Sequence, residues 1–305
     1  MELTQEITLP DGTVKTARLL PEITSRSPSY TFRSPLGLLS ATQFTQPALT
    51  LMEIALFRDM ASKGLVQESS MFAGHSLGEY AALAALGGDL LPVEVPAAIT
   101  FFRGLAMQMN VARDAHGRSG YSMCAVNPSK MRGFSEADLQ RAVSQIGKST
   151  GWLLEVVNYN ISNLQYICAG DVRALSLLTD LANHLVTTKT LFSSLSEYSL
   201  TSLINSLAAV VTARPAPLDY ERGHATVPLK TIDVPFHSSY LAPNITSYRK
   251  FLSGMIKKEN VDLDRLVGKW VPNITGRPFG IQKEDWEELE RVTGSERVQA
   301  VLQRL

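Results

Sequence analysis

The sequence is poor in cysteine, carries no net charge and contains no long apolar run. Each shortage removes a class of protein. Only two cysteines, Cys124 and Cys168, occur in 305 residues, both in apolar stretches of strand-like pattern. That excludes a disulfide scaffold and predicts two buried free thiols rather than a metal pair. Lys+Arg 29 balances Asp+Glu 29, so no basic field invites nucleic acid or an anionic membrane surface. No segment approaches the roughly 20 apolar residues that a bilayer-spanning helix needs. The opening Met-Glu-Leu-Thr-Gln-Glu lacks the basic flank and apolar core of a signal peptide. The Asn-x-Ser/Thr triplets at Asn160, Asn244 and Asn273 are therefore read as chance, and the chain as a soluble cytoplasmic protein. What is present, 45% hydrophobic residues, suffices for one large domain or a domain with an inserted subdomain.

The chain is organised around Gly74-His75-Ser76-Leu77-Gly78-Glu79-Tyr80. Apolar Met71-Phe72-Ala73 leads in and helix-forming Tyr80–Leu86 leads out, the strand–turn–helix context of a nucleophile elbow. Gly74 and Gly78 are expected to permit the sharp turn, leaving Ser76 exposed at its apex. The Leu77 amide then sits at a helix N-terminus, where it can donate to a developing oxyanion. Before the elbow, residues 1–35 are a polar lead-in with room for one hairpin (turns at Pro10-Asp11-Gly12, Ser25–Pro28 and Ser34-Pro35). A helix follows, capped by Thr45 with Pro47 in its first turn, presenting Leu49, Met52, Leu56 and Met60 as its apolar stripe and stopping at Gly64. After the terminator Gly87-Gly88, Pro96 opens a helix over 97–111 with Ile99, Phe102, Ala106 and Met109 on one face and Arg103 among them.

From Tyr121 the pattern changes to βαββα: a strand at 121–126, a helix at 136–147, strands at 153–159 and 165–169, and a helix at 172–187. This is the order of a ferredoxin-like unit, with a closing strand expected near 227–234. Residues 190–222 read as an irregular helical excursion. Leu229–Val234 then runs into Pro235-Phe236-His237, and an amphipathic helix at 246–259, a strand end at 270–276 and two short helices finish the chain.

Serine needs a base within hydrogen-bond reach to become a nucleophile. Of the five histidines, His75 precedes the serine, so its side chain points away from the hydroxyl and packs; His116 and His184 lie in polar, surface-like contexts, and His224 lies in a loop. His237 follows an apolar strand, in the kind of strand-end loop that carries catalytic groups in α/β enzymes, and is the best base. No acid stands out to orient it; Asp233 is near in sequence but on the wrong side of the turn. A backbone carbonyl can hold the tautomer as well.

Gly74-His-Ser-Leu-Gly-Glu79, Thr45-Gln-Pro-Ala-Leu49, Phe102-Arg-Gly104, Val157-Asn-Tyr-Asn160 and Val234-Pro-Phe-His237 resemble, in sequence order, motifs of malonyl-CoA:acyl-carrier-protein transacylases. The stretches 37–52 and 150–160 resemble one branch, the malonyl/palmitoyl transferase domain of the fungal fatty acid synthase β subunit. The resemblance implies an α/β fold: an α/β-hydrolase-like acyltransferase core (residues 1–120 and 235–305) with an inserted ferredoxin-like subdomain (residues 121–234). It implies Ser76 as acyl carrier, His237 as base, Leu77 N–H as oxyanion donor and Arg103 as the clamp on a free malonyl carboxylate, a planar bidentate role that lysine does not reproduce. Gln46, Asn158 and His75 are counted with the substrate-side residues, and a carbonyl near Thr293 is expected to orient His237. No cofactor or metal is implied; acyl-CoA and an acyl carrier protein are substrates, and other synthase chains or a preceding segment are partners. The family's Gly-Gln-Gly loop, which supplies the second oxyanion donor on the first core strand, has no counterpart in residues 1–36. This leaves two other readings open: a catalytically silent or scaffolding piece of a synthase, and a serine esterase.

Overall fold

The computed structural model describes residues 4–8, 13–20, 22–24, 26–34, 37–87, 92–218 and 220–305. The expected turn at Pro10-Asp11-Gly12, together with Ser25, Pro35 and Gly88, lies outside them. In chain order the elements are β1 (Thr4–Thr8), β2 (Val14–Arg18), α1 (Thr42–Ser62), β3 (Phe72–Ala73), α2 (Gly78–Gly87), α3 (Glu94–Met109), β4 (Tyr121–Val126), α4 (Glu136–Thr150) and β5 (Leu154–Ile161). Then come β6 (Gln165–Asp171), α5 (Val172–Thr188), α6 (Glu197–Thr212), β7 (Thr226–Pro228), α7 (Ile245–Met255), α8 (Leu263–Leu266), β8 (Trp270–Val271), α9 (Lys283–Thr293) and α10 (Glu296–Leu302). They fall into two compact units, residues 1–40 with 107–245, and residues 41–106 with 246–305.

In the first unit, β1 and β2 form the antiparallel hairpin expected of the lead-in. Its main body is an antiparallel sheet in the order β5-β6-β4-β7, with α4 after its first strand and α5 after its third, which is the ferredoxin-like arrangement. Local signals set the boundaries: Ser135 and Asp138 form a capping box at the start of α4, and the Asp171 carboxylate accepts from Arg173 N–H at 2.8 Å to cap α5. Side chains alternate across the sheet with period two. Cys124, Val126, Tyr166 and Cys168 join Leu139, Ile146, Leu175 and Leu181 of the helices in one core, whereas Met123, Ile167 and Ala169 pack with Leu229, Ile232 and Phe236. Each fully buried leucine of this kind stabilises the fold by about 1.5–3 kcal/mol.

Two expectations are corrected here. The strand predicted to run through Val234 stops at Pro228; Leu229–Val234 turns, with Thr231 at φ +72°, and lies on the second face of the sheet. Residues 197–212 form a regular helix rather than an irregular excursion, begun by Ser196, whose hydroxyl accepts from Ser199 N–H. Cys124 and Cys168 stand directly opposite one another on β4 and β6 as buried free thiols, and burial pushes the Cys124 thiol up to about 12.

In the second unit, β3 and β8 form a short parallel pair, Phe72 beside Trp270 and Ala73 beside Val271. α1 departs from its reading at both levels. It starts at Thr42 with Ala41 as N-cap, so Pro47 lies inside the helix and Thr45 bonds back to Ala41 C=O instead of capping. Its buried face is Thr42, Gln43, Gln46, Thr50 and Ile54, while Leu49, Met52, Leu56 and Met60 are 40–57% exposed. Gly104 of α3 lets α1 approach closely: a Cβ there overlaps the Thr42 carbonyl and comes within 2.6 Å of Gln43 Cα. Among the described residues no helix is long and apolar enough to cross a membrane, and no His/Cys/Asp/Glu cluster has metal-site geometry.

Candidate active site

Ser76 occupies the turn between β3 and α2 with φ +52°, the left-handed region that costs a β-carbon-bearing residue about 1–2 kcal/mol. The turn closes through Gly78 N–H to His75 C=O (3.0 Å) and Tyr80 N–H to Leu77 C=O (3.1 Å). Only one of its two glycines is sterically required. A Cβ on Gly74 overlaps the Gly78 carbonyl and lies 2.7 Å from Glu79 N, whereas a Cβ on Gly78 meets open space. His75 is exposed on this turn, not packed as expected.

Arg103 meets the serine. Its Nη2 donates to Ser76 Oγ at 3.2 Å and its Nη1 to Gln46 Oε1 at 2.7 Å. Gln46 is buried, and its amide donates in turn to Thr42 Oγ1 at 2.8 Å, so the close α1–α3 approach at Gly104 delivers the acceptor that aims the guanidinium. The Arg103 guanidinium also lies 5.9 Å from the Tyr80 ring centroid. Tyr248 donates to Tyr80 Oη at 2.7 Å, and burial, with Tyr80 beside it, pushes the Tyr248 hydroxyl well above the usual phenol range. Phe102, the neighbour of Arg103, stacks on Phe251 at 4.0 Å and fixes the helix from behind. An arginine in apolar company thus faces the nucleophile rather than snorkelling to solvent.

The acyl transferase domain family matches residues 8–296. The chain belongs to that family. It is 47% identical over 304 residues to the fatty acid synthase subunit beta of Saccharomyces cerevisiae, covering 97% of this chain and 15% of that protein. It is 44% identical over 315 residues to the corresponding subunit of Schizosaccharomyces pombe, again 15% of its length. The chain therefore spans about a seventh of these relatives. Among solved structures it resembles FabD from Acinetobacter baumannii (TM-score 0.52, 21% identity, 87% of this chain and 68% of that one). The acyl-carrier-protein S-malonyltransferase from Bartonella henselae is similar at TM-score 0.51 and 20% identity, over 89% and 84%. These likenesses establish the α/β acyltransferase fold.

Within this acyltransferase domain His237, Asn158 and Asp233 lie in the first unit. His237 follows β7 in a loop held to the sheet: Val234 packs with Val111 and Leu241, and Phe236 with Met123 and Ile167. Ser239 N–H donates to Glu155 Oε2 of β5 at 2.9 Å, and Ser238 Oγ donates to Pro235 C=O at 2.7 Å. His237 itself is exposed with φ +62°, so both catalytic candidates are non-glycine residues in left-handed backbone. Asn158 sits on β5 at a register shift against β6. Asp233 forms a bidentate pair with Arg113.

Two residues of the second unit escaped the sequence reading. Asn273, after β8, accepts from Ser76 N–H through Oδ1 at 2.6 Å, and its Nδ2 donates to Gly74 C=O. Glu79 accepts from Asn273 N–H at 3.2 Å; burial raises its carboxyl above the ordinary range and this bond opposes the shift.

Proposed function

We propose that this chain moves malonyl, and in the reverse direction long-chain acyl groups, between CoA and the phosphopantetheine thiol of an acyl carrier protein, as the acyltransferase segment of a fungal-type fatty acid synthase β subunit in the cytoplasm. The observation that carries this reading is the Arg103 guanidinium 3.2 Å from Ser76 Oγ, aimed by buried Gln46. A serine esterase for neutral acyl groups has no use for a fixed cation there, whereas a malonyl half-thioester brings a free carboxylate to pair with it.

In the proposed cycle His237 takes the Ser76 proton as Oγ attacks the thioester carbonyl. The Leu77 N–H, at the start of α2, donates to the oxyanion, and Arg103 turns from Oγ to clamp the malonyl carboxylate. The tetrahedral intermediate collapses, the C–S bond breaks, and CoA leaves as its thiol with the proton held by His237. The carrier thiol then gives its proton to His237 and attacks the acyl-serine carbonyl; the C–Oγ bond breaks, His237 returns the proton to Ser76 Oγ, and the acyl group leaves as the carrier thioester. Asn158 and His75 line the substrate side, residues 121–234 act as an inserted subdomain on a core of 1–120 and 235–305, and no cofactor or metal takes part. Other synthase chains, or further sequence of the same polypeptide, are its partners.

The test is to incubate the chain with radiolabelled malonyl-CoA. Label on Ser76 that is absent in Ser76→Ala and is discharged by carrier protein supports the transferase. Label released to water at the same rate without carrier makes it a hydrolase, and no label in the wild type, alone or joined to its neighbouring synthase sequence, overturns the proposal.

A further inference from the structure

The left-handed backbone at Ser76 is held from outside the elbow. The β3–β8 pair ends at Ala73 and Val271, and the chain after β3 turns away from its partner strand. At that point the Asn273 side chain takes over. Its primary amide carries an acceptor oxygen and an NH2 group, one of whose N–H donors is disposed to the oxygen as in a peptide group. It turns the oxygen and one N–H to the elbow backbone, Oδ1 receiving Ser76 N–H and Nδ2 donating to Gly74 C=O. The side chain therefore continues the parallel ladder past its last backbone pair.

Asn273 is itself fixed from the far side of the nucleophile, since Glu79, three residues beyond Ser76, accepts its backbone N–H. The bracket closes a ring through Gly74, Ser76, Glu79 and Asn273, with the nucleophile on its rim. Ser76 N–H is thereby committed to Asn273. The Leu77 N–H, one peptide further on, takes no hydrogen-bond partner among the described residues.

We propose that Asn273 is the positioning residue of this acyltransferase, and that its side-chain amide fixes the Ser76 backbone and so selects Leu77 N–H as the oxyanion donor. This rests on the transferase reading for its kinetic consequence but not for its structural one. Asn273→Asp separates the functions of the amide: it is isosteric and still accepts from Ser76 N–H, but it faces the Gly74 carbonyl with an oxygen instead of a donor. Asn273→Ala removes both bonds.

The experiment measures Ser76 acylation by malonyl-CoA together with site-resolved hydrogen exchange of the Ser76 amide, in the wild type and both variants. A misplaced nucleophile costs on the order of 10²-fold in rate. Asn273→Ala is expected to lower the acylation rate constant by about that factor with little change in KM, and to speed exchange at Ser76 while the amides of β4 and β6 keep their protection. Asn273→Asp is expected to keep the Ser76 amide protected and still lose rate. Unchanged exchange at Ser76 in Asn273→Ala overturns the proposal, as does an unchanged rate in both variants. If the wild type takes no label, the transferase reading falls, and amide exchange alone decides the role of Asn273. Should Asn273→Ala fail to fold, the isosteric Asn273→Asp carries the test.

Discussion

At the scale of single residues, the proposed function makes Arg103 the group that separates substrates. Its bonds to Ser76 Oγ and Gln46 leave it positioned for a carboxylate, and palmitoyl has none to offer. Arg103→Ala is expected to abolish malonyl loading of Ser76 and to spare palmitoyl loading; equal loss of both by intact mass would remove the clamp role. The two elbow glycines are not equivalent either. Gly74→Ala drives a Cβ into the Gly78 carbonyl and should cost at least ~2 kcal/mol in denaturant unfolding. Gly78→Ala meets open space at the first position of α2, where alanine is the better helix former, and should be neutral to slightly stabilising. Glu79 gives a pH signature. Burial raises its folded carboxyl above the unfolded value, so its contribution is fully present below the ordinary glutamate range and lost as pH rises through the folded value. Glu79→Gln keeps an acceptor for Asn273 N–H and cannot ionise. Its melting temperature should exceed the wild type's near neutral pH, and the gap should close below the ordinary glutamate range.

At the scale of elements, α1 is where pattern and packing part. The i, i+3, i+4 spacing of Leu49, Met52, Leu56 and Met60 marks a helix, and a helix is what forms, but the inward face is Thr42, Gln46, Thr50 and Ile54. Periodicity reveals that one face is apolar; which face meets neighbours depends on what surrounds it, and local sequence does not encode that. Leu56→Lys with Met60→Lys is therefore expected to change unfolding free energy by no more than about 0.5 kcal/mol, while Ile54→Ala costs about 2–4 kcal/mol. The reverse ranking would restore the apolar stripe as the core face. The ferredoxin-like elements were legible for the opposite reason. Their strands alternate cleanly, their helices carry capping residues at Ser135 and Asp171, and each signal is contained in a few neighbouring residues. The strand expected through Val234 failed because residues that cover the face of a sheet have the same apolar character as residues within it.

At the scale of the whole molecule, the site divides by range of interaction. Ser76, Leu77, Arg103 and His237 stood out because their motifs are local, and the second unit does bring Ser76, Arg103 and Gln46 together. Asn273 did not stand out, because its bond to Ser76 spans 197 residues and leaves no spacing to read. The second unit is itself assembled from two stretches, 41–106 and 246–305, with the first unit's main body encoded between them.

That interleaving sets an order in time. Translation delivers Phe72 through Ser76 early, and delivers Trp270, Val271 and Asn273 only after Ile245, the last residue of the ferredoxin-like unit. Units with their own core fold as they emerge. On the ribosome, then, the chain carries one finished body and an elbow still lacking its strand partner and its bracket. On the proposed reading the serine is armed only once Asn273 has been made, so a chain still lacking that residue offers an acyl thioester no working nucleophile.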